Sequence, residues 1–133
     1  MNLLSRPQRT GLVIGDVLAF GLITTIGFAS HEELAAGSVE RMLATFVPFL
    51  AAWLLVAPWL GLFGATASEV KSVFWRTPLA ALLAAPLGGW LRGLLLGAPI
   101  LPVFVLVMVG VSALVLTGWR IGIWAFYLRP RRR

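Results

Sequence analysis

Four long apolar stretches separated by short polar segments organise this chain. The first, GLVIGDVLAFGLITTIGFAS from Gly11 to Ser30, is interrupted by one charge, at Asp16. The second runs from about Val39 or Met42 to Phe63, the third from Pro78 to Gly97 and the fourth from Pro102 to Leu128. A helix needs about 20 apolar residues to cross the hydrocarbon core of a bilayer, and each stretch meets that length. The pattern predicts an all-α, integral membrane four-helix bundle built as two antiparallel helical hairpins. Residues 1–133 form a single transmembrane domain, with helices near 11–30, 40–63, 78–97 and 102–128.

Local signals refine these limits. Ser30 and Glu33 have the spacing of a capping box, Gly37 stops any turn begun there, and Ser38 is placed to cap the second helix. Pro48 and Pro58 fall inside that helix, where neighbouring helices satisfy the freed carbonyls, so kinks are expected there and not ends. Thr66 and Glu69 repeat the capping-box spacing, and Val70 and Phe74 stand four apart beside Lys71 and Arg76. That arrangement predicts a short amphipathic turn lying in the interface. Thr77 then caps a third helix that opens on Pro78. The link GAPILP leaves room only for a tight hairpin between helices three and four. LLVAPWLG (54–61) and LLAAPLGG (82–89) share Leu-Leu, an Ala-Pro pair and a closing glycine, a resemblance that chance explains in a Leu- and Ala-rich chain.

Composition supports the membrane assignment. Of the 133 residues, 59% are hydrophobic and 12% are charged, too little polar surface for a soluble domain of this size. Gly27-Phe28-Ala29 resembles a signal-peptide cleavage site, but the apolar run before it is long and contains Asp16, so a retained first helix is expected. The net charge of +6 has a topological meaning here. With both termini inside, Arg6, Arg9, Lys71, Arg76, Arg120, Arg129, Arg131, Arg132 and Arg133 all fall on the cytoplasmic face, against Arg41 alone outside. The positive-inside rule thus accounts for the basic residues and displaces nucleic acid as a partner. Trp75, Trp124 and Tyr127 are expected at the inner interface. The tail RPRRR is suited to anionic lipid.

Charges inside spans carry the candidate chemistry. Asp16 lies five residues past Gly11, about 8 Å along the helix, in the cytoplasmic half. A carboxylate there costs on the order of 3 kcal/mol unless it faces the bundle and finds a partner. Arg120 is the basic residue of a span that shares its depth, so an Asp16–Arg120 pair bracing helices one and four is predicted. An ion or proton site at Asp16 is the competing reading. Arg92 stands about 22 Å up the third helix from Thr77, in the outer half and beyond reach of Asp16. It either snorkels to headgroups, pairs with Glu32, Glu33 or Glu40 beside His31, or binds an anion.

Ala81, Ala85, Gly89, Gly93 and Gly97 recur every fourth residue and give the third helix a face of small side chains. Such faces let membrane helices approach closely, so this one should meet another helix, in the same chain or in a second copy. Gly11, Gly15 and Ala19 repeat the pattern in the first helix, and Gly118 and Gly122 in the fourth. Zero cysteines exclude thiolate chemistry, and one histidine excludes a histidine-rich metal site within a single chain. No phosphate loop, nucleophile elbow or HExxH helix is present, so no cofactor and no enzymatic activity are expected.

GDVLAF and IGFASH in the first helix, PFLAAWLL in the second, WLRGLLLG in the third, and PVFVLVMVG through GWR in the fourth resemble a prokaryotic membrane-protein family, domain of unknown function 3054. The resemblance implies a four-helix membrane protein with Asp16, His31, Arg92 and Arg120 as signature polar positions, and it implies no activity or cofactor. Together these readings predict a non-enzymatic bundle of the cell inner membrane, in contact with lipid and with a second copy or a larger membrane complex. The rival is a small oligomeric transporter or channel using Asp16 or Arg92. A polar cavity holding either residue would favour transport, and a closed ion pair would favour scaffolding.

Overall fold

The computed structural model describes residues 5–30, 38–64 and 69–128. It contains α1 (Arg6–Ser30), α2 (Ser38–Trp59), α3 (Val70–Leu96) and α4 (Pro102–Ile123), with α4 continued by a π-helical turn over Trp124–Leu128. All four helices are long and apolar enough to cross a membrane, which makes this a multi-pass membrane protein. The surface fits that setting. Leu18, Trp59, Val103, Leu114 and Phe126 keep 67–86% of their surface exposed, an arrangement suited to lipid tails and hostile to water.

Helix directions follow from which ends meet. Asp16 near the start of α1 touches Trp53 late in α2 and Arg120 late in α4, while Arg76 at the start of α3 reaches Leu60 just past α2. At the other end, Arg92 late in α3 touches Thr45 early in α2 and Phe104 early in α4. The helices therefore alternate up and down. Each packs on two neighbours in a closed ring, α1 against α2 and α4, and α3 against the same two. Phe20, Phe49, Trp53, Ala81, Ala85 and Leu116 fill the centre.

The helix ends differ from the sequence reading in three places. The start of α1 precedes the apolar run because Ser5 and Gln8 cap it reciprocally: Gln8 Oε1 accepts from the Ser5 N–H (2.8 Å) and Ser5 Oγ accepts from the Gln8 N–H (3.4 Å). The α2 helix passes Pro48 but stops at Trp59, ahead of the expected Phe63. There Gly61 adopts φ 71°, the Leu62 N–H reaches the Ala57 carbonyl (3.1 Å) and the Gly61 N–H reaches that of Pro58 (3.0 Å). This double bond pattern closes the helix, and only glycine takes the left-handed position without strain.

The third difference is a correction. Val70–Arg76 is no separate interfacial turn, and Thr77 caps nothing: α3 is one helix from Val70, with Pro78 and Pro86 inside it. Glu69 occupies the N-cap position in extended conformation, and Val73 and Thr77 are fully buried against the bundle. Tertiary packing of that face outweighs the carbonyl freed by Pro78. The far end is as expected, with Gly97 left-handed at φ 60° and the Ala98 N–H closing on the Gly93 carbonyl. The 54–61 and 82–89 echo is not structural, since Gly61 ends α2 while Gly89 lies inside α3.

The small-residue face of α3 is used within the chain. A Cβ on Gly89 would stand 2.9 Å from Val105 of α4, and one on the adjacent Gly88 would stand 2.6 Å from the Phe49 ring and 3.0 Å from its Cα on α2. Ala81 and Ala85 are buried, Gly93 is partly buried against the hairpin turn, and Gly97 is exposed at its tip. Ala81, Ala85 and Gly89 therefore pack against helices of the same chain. By contrast, Gly11, Gly110, Gly118 and Gly122 face open space.

Among the described residues, Thr77 and Ser112 are buried with hydroxyls that have no hydrogen-bond partner, and Ser112 lies in the centre beside Phe20, Phe49 and Trp53. Ser112→Ala is expected to leave stability unchanged or raise it by about 1 kcal/mol in detergent unfolding, because the desolvated hydroxyl is removed with no bond lost.

Candidate functional site

At the end of the bundle where α1 begins, three helices and one turn converge on a single ion pair: Asp16 on α1 meets Trp53 of α2 and Trp119 and Arg120 of α4, and Arg120 reaches the turn after α2. Asp16 has no exposed surface. Its Oδ2 accepts from Arg120 Nη2 (2.5 Å) and from Trp53 Nε1 (2.8 Å), and its Oδ1 accepts from Trp119 Nε1 (3.1 Å). The predicted Asp16–Arg120 pair is thus present, and two indoles that the sequence reading passed over complete it. Gly15 makes room for one of them, since a Cβ there would stand 1.8 Å from the Trp119 ring.

The guanidinium is held as closely as the carboxylate. Arg120 is 1% exposed, and its Nη1 donates to the Leu62 carbonyl at 2.6 Å. The rings of Phe63 and Trp53 lie 5.0 and 5.8 Å from its Cζ. Its Nε has no hydrogen-bond partner among the described residues. Burying two opposite charges costs several kcal/mol per ion unless geometry and extra hydrogen bonds offset it, and here two indoles and a backbone carbonyl supply those bonds. The turn after α2 provides a second carbonyl, that of Leu60, which accepts from Arg76 Nη1 at 2.8 Å. Arg76 also lies over the Trp75 ring at 4.7 Å. Two arginines therefore meet the carbonyl-rich end of α2, where the helix dipole favours cations. One ion pair ties α1 to α4, and its accessory bonds draw in α2 and the α2–α3 turn.

The opposite end holds the second charged position. Arg92 Nε donates to Thr45 Oγ1 at 2.8 Å, and its guanidinium lies 4.7 Å from the Phe104 ring centre. Arg92 and Arg41 line an open pocket of about 360 Å³ with Leu96, Ala98, Pro99 and Leu101. Asp16 and Arg92 are not brought together, as expected from their depths. His31, Glu32 and Glu33, named as neighbours of Arg92, lie outside the described residues; Glu40 is exposed in the first turn of α2. Thr24 and Thr25 bond back to the carbonyls of Phe20 and Gly21, both at 2.8 Å, the ordinary use of threonine in a helix.

Chemically, the Asp16 cluster is closed: both carboxylate oxygens are engaged, and the group has no accessible surface. Trp53 and Trp119 were missed because tryptophan in a span reads first as an interfacial anchor. The signal that would have found Trp119 is its place next to Arg120 on a helix already assigned to face Asp16.

Neither the curated proteins nor the solved structures contain a match to this chain. A family model described as a protein of unknown function, DUF3054, matches residues 13–123. That span includes Asp16, Trp53, Arg92, Trp119 and Arg120, and covers most of all four helices. With four helices long and apolar enough to cross a membrane, the chain belongs to DUF3054, a family of proteins of unknown function.

Proposed function

We propose that this protein is a non-enzymatic structural component of the cell inner membrane, with both termini cytoplasmic, which associates with a second copy or serves as an accessory subunit of a larger membrane complex. The observation that carries the reading is the closure of the Asp16 cluster: a fully buried carboxylate with three donors braces helices and offers no accessible group to a passing ion. The orientation is supported by the basic residues. Arg6, Arg9, Lys71 and Arg76 all lie at the bundle end where α1 starts and α4 finishes, and the arginine-rich tail follows α4 in sequence. Association is best supported on α4, the helix with the smallest buried share and with Gly110, Leu114 and Gly118 turned outward.

The test is a paired measurement on full-length protein in proteoliposomes. Asp16→Asn is expected to lower thermal stability while leaving proton and ion leak at the level of wild type. A wild-type flux well above empty vesicles that disappears with Asp16→Asn would replace the structural reading with a transport one.

A further inference from the structure

The end of the bundle where α1 begins carries more basic charge than its carboxylates can neutralise. Asp16 is engaged by Arg120, and Glu69, at the N-cap of α3, accepts from Ser72 Oγ at 3.2 Å. Against these stand Arg6, Arg9, Lys71 and Arg76, none of which forms an ion pair among the described residues. The chain segments that join this end in sequence, 1–4, 65–68 and 129–133, contain no Asp or Glu and add four arginines. The excess charge is best organised on α3. Arg76 Nη1 donates to the Leu60 carbonyl at 2.8 Å and its Cζ lies 4.7 Å from the Trp75 ring centre, so the guanidinium is fixed in place, while Nη2 bonds to none of the described residues. Lys71 is exposed one turn before Trp75, and Phe74 and Trp75 keep 65% and 54% of their surface exposed. The depth fits a headgroup. Arg76 lies 20 residues before Leu96, the last residue of α3, a rise of about 30 Å and the thickness of the hydrocarbon core.

We propose that Lys71 and Arg76, with the Trp75 ring beside them, bind the phosphodiester of an anionic phospholipid in the cytoplasmic leaflet. The leaflet rests on the orientation proposed above; the site itself does not. Guanidinium donors match phosphate oxygens, and amphipathic rings settle at the headgroup level of a bilayer. Basic side chains beside a membrane span on its cytoplasmic side attract anionic lipid by about 1 kcal/mol each. A lipid is favoured over a free anion because Phe74 and Trp75 offer hydrocarbon surface that inorganic phosphate does not use.

Native mass spectrometry of the full chain, released from detergent with added phosphatidylglycerol or phosphatidylcholine, tests the site where no leaflet exists. Wild type is expected to retain phosphatidylglycerol in preference to phosphatidylcholine. Lys71→Gln is expected to weaken that retention about fivefold, equivalent to the ~1 kcal/mol that one basic residue contributes near anionic lipid. Arg76→Gln should weaken it by at least as much. Because Arg76 also bonds the Leu60 carbonyl, Lys71→Gln, at an exposed position, is the variant that separates binding from folding. Arg9→Gln is the control, exposed on α1 and diagonally across the ring from α3. It should change retention by less than about twofold, because salt screens charges that stand apart on the surface. Equal retention of the two lipids, or phosphatidylglycerol binding untouched by Lys71→Gln in a folded protein, would overturn the proposal. A loss with Arg9→Gln as large as that with Lys71→Gln would overturn it in favour of diffuse attraction to the whole basic end. Displacement of bound lipid by millimolar inorganic phosphate would overturn the lipid assignment in favour of a free anion. Orientation is read separately: this chain has no cysteine, so one added after Arg133 can be labelled alone. Its reaction with a membrane-impermeant maleimide on intact cells would overturn the leaflet and leave the detergent result standing.

Discussion

Arg120→Met is expected to destabilise the bundle by about 3–5 kcal/mol, measured by thermal or denaturant unfolding in detergent. Methionine occupies a similar apolar length, so packing is largely kept. What is lost is the charge beside Asp16 and the donor to the Leu62 carbonyl. The carboxylate is then left fully buried with indole donors alone and no counter-ion. Trp119→Phe gives the comparison. It removes one neutral donor at 3.1 Å, and single hydrogen bonds between membrane helices contribute about 0.6 kcal/mol on average and about 1.7 at most. The arginine substitution should therefore be clearly the larger. Equal effects would mean that charge neutralisation is not what Arg120 supplies.

Gly88→Ala is expected to cost about 1–3 kcal/mol, the range for overpacking a close helix contact. The added methyl would meet the Phe49 ring at 2.6 and 2.9 Å and, decisively, the Phe49 Cα at 3.0 Å. Side chains rotate away from a clash, but a backbone atom moves only with its helix, so α2 and α3 must separate. Separation would loosen the turn between them, whose carbonyls hold Arg76 and Arg120. Gly11→Ala, inside α1, is the control, since a methyl there meets nothing within 4 Å. It should be neutral or stabilising by up to about 1 kcal/mol through helix propensity alone. Comparing the two by unfolding in detergent separates close packing from the general cost of replacing a glycine.

Elements whose physics is one-dimensional were legible from the chain. Apolar length and turn residues located all four helices, and Gly97 marked the end of α3 because a left-handed cap leaves a compositional trace. The Asp16–Arg120 pair was also legible, because opposite charges at one depth of a low-dielectric slab have few other partners. What depends on rotation about a helix axis was not. Trp53 and Trp119 could equally have faced lipid, and only the packing of α1 against α2 and α4 turns their N–H groups toward Asp16.

Pro78 shows the opposite failure. Thr-Pro is a strong local start signal, yet the two turns before it bury Val73 and Thr77, and that burial extends the helix through the proline. Arg76 carries a topological signal in the sequence, whereas its bond to the Leu60 carbonyl depends on a turn whose geometry is set by Gly61 at φ 71°. The small-residue face of α3 was recognised, but sequence spacing does not distinguish a neighbour in the same chain from one in a second copy. Val105 and Phe49 identify the neighbour as internal.

A double-mutant cycle on Asp16→Asn and Arg120→Met, followed by unfolding in detergent, tests the brace directly. Each single variant leaves a buried polar group mismatched, whereas the double variant removes both charges together. The predicted result is a coupling of about 2–3 kcal/mol, with the double variant more stable than the sum of the singles implies. Additive losses, within about 0.5 kcal/mol of zero coupling, would contradict the claim that these two residues hold α1 to α4.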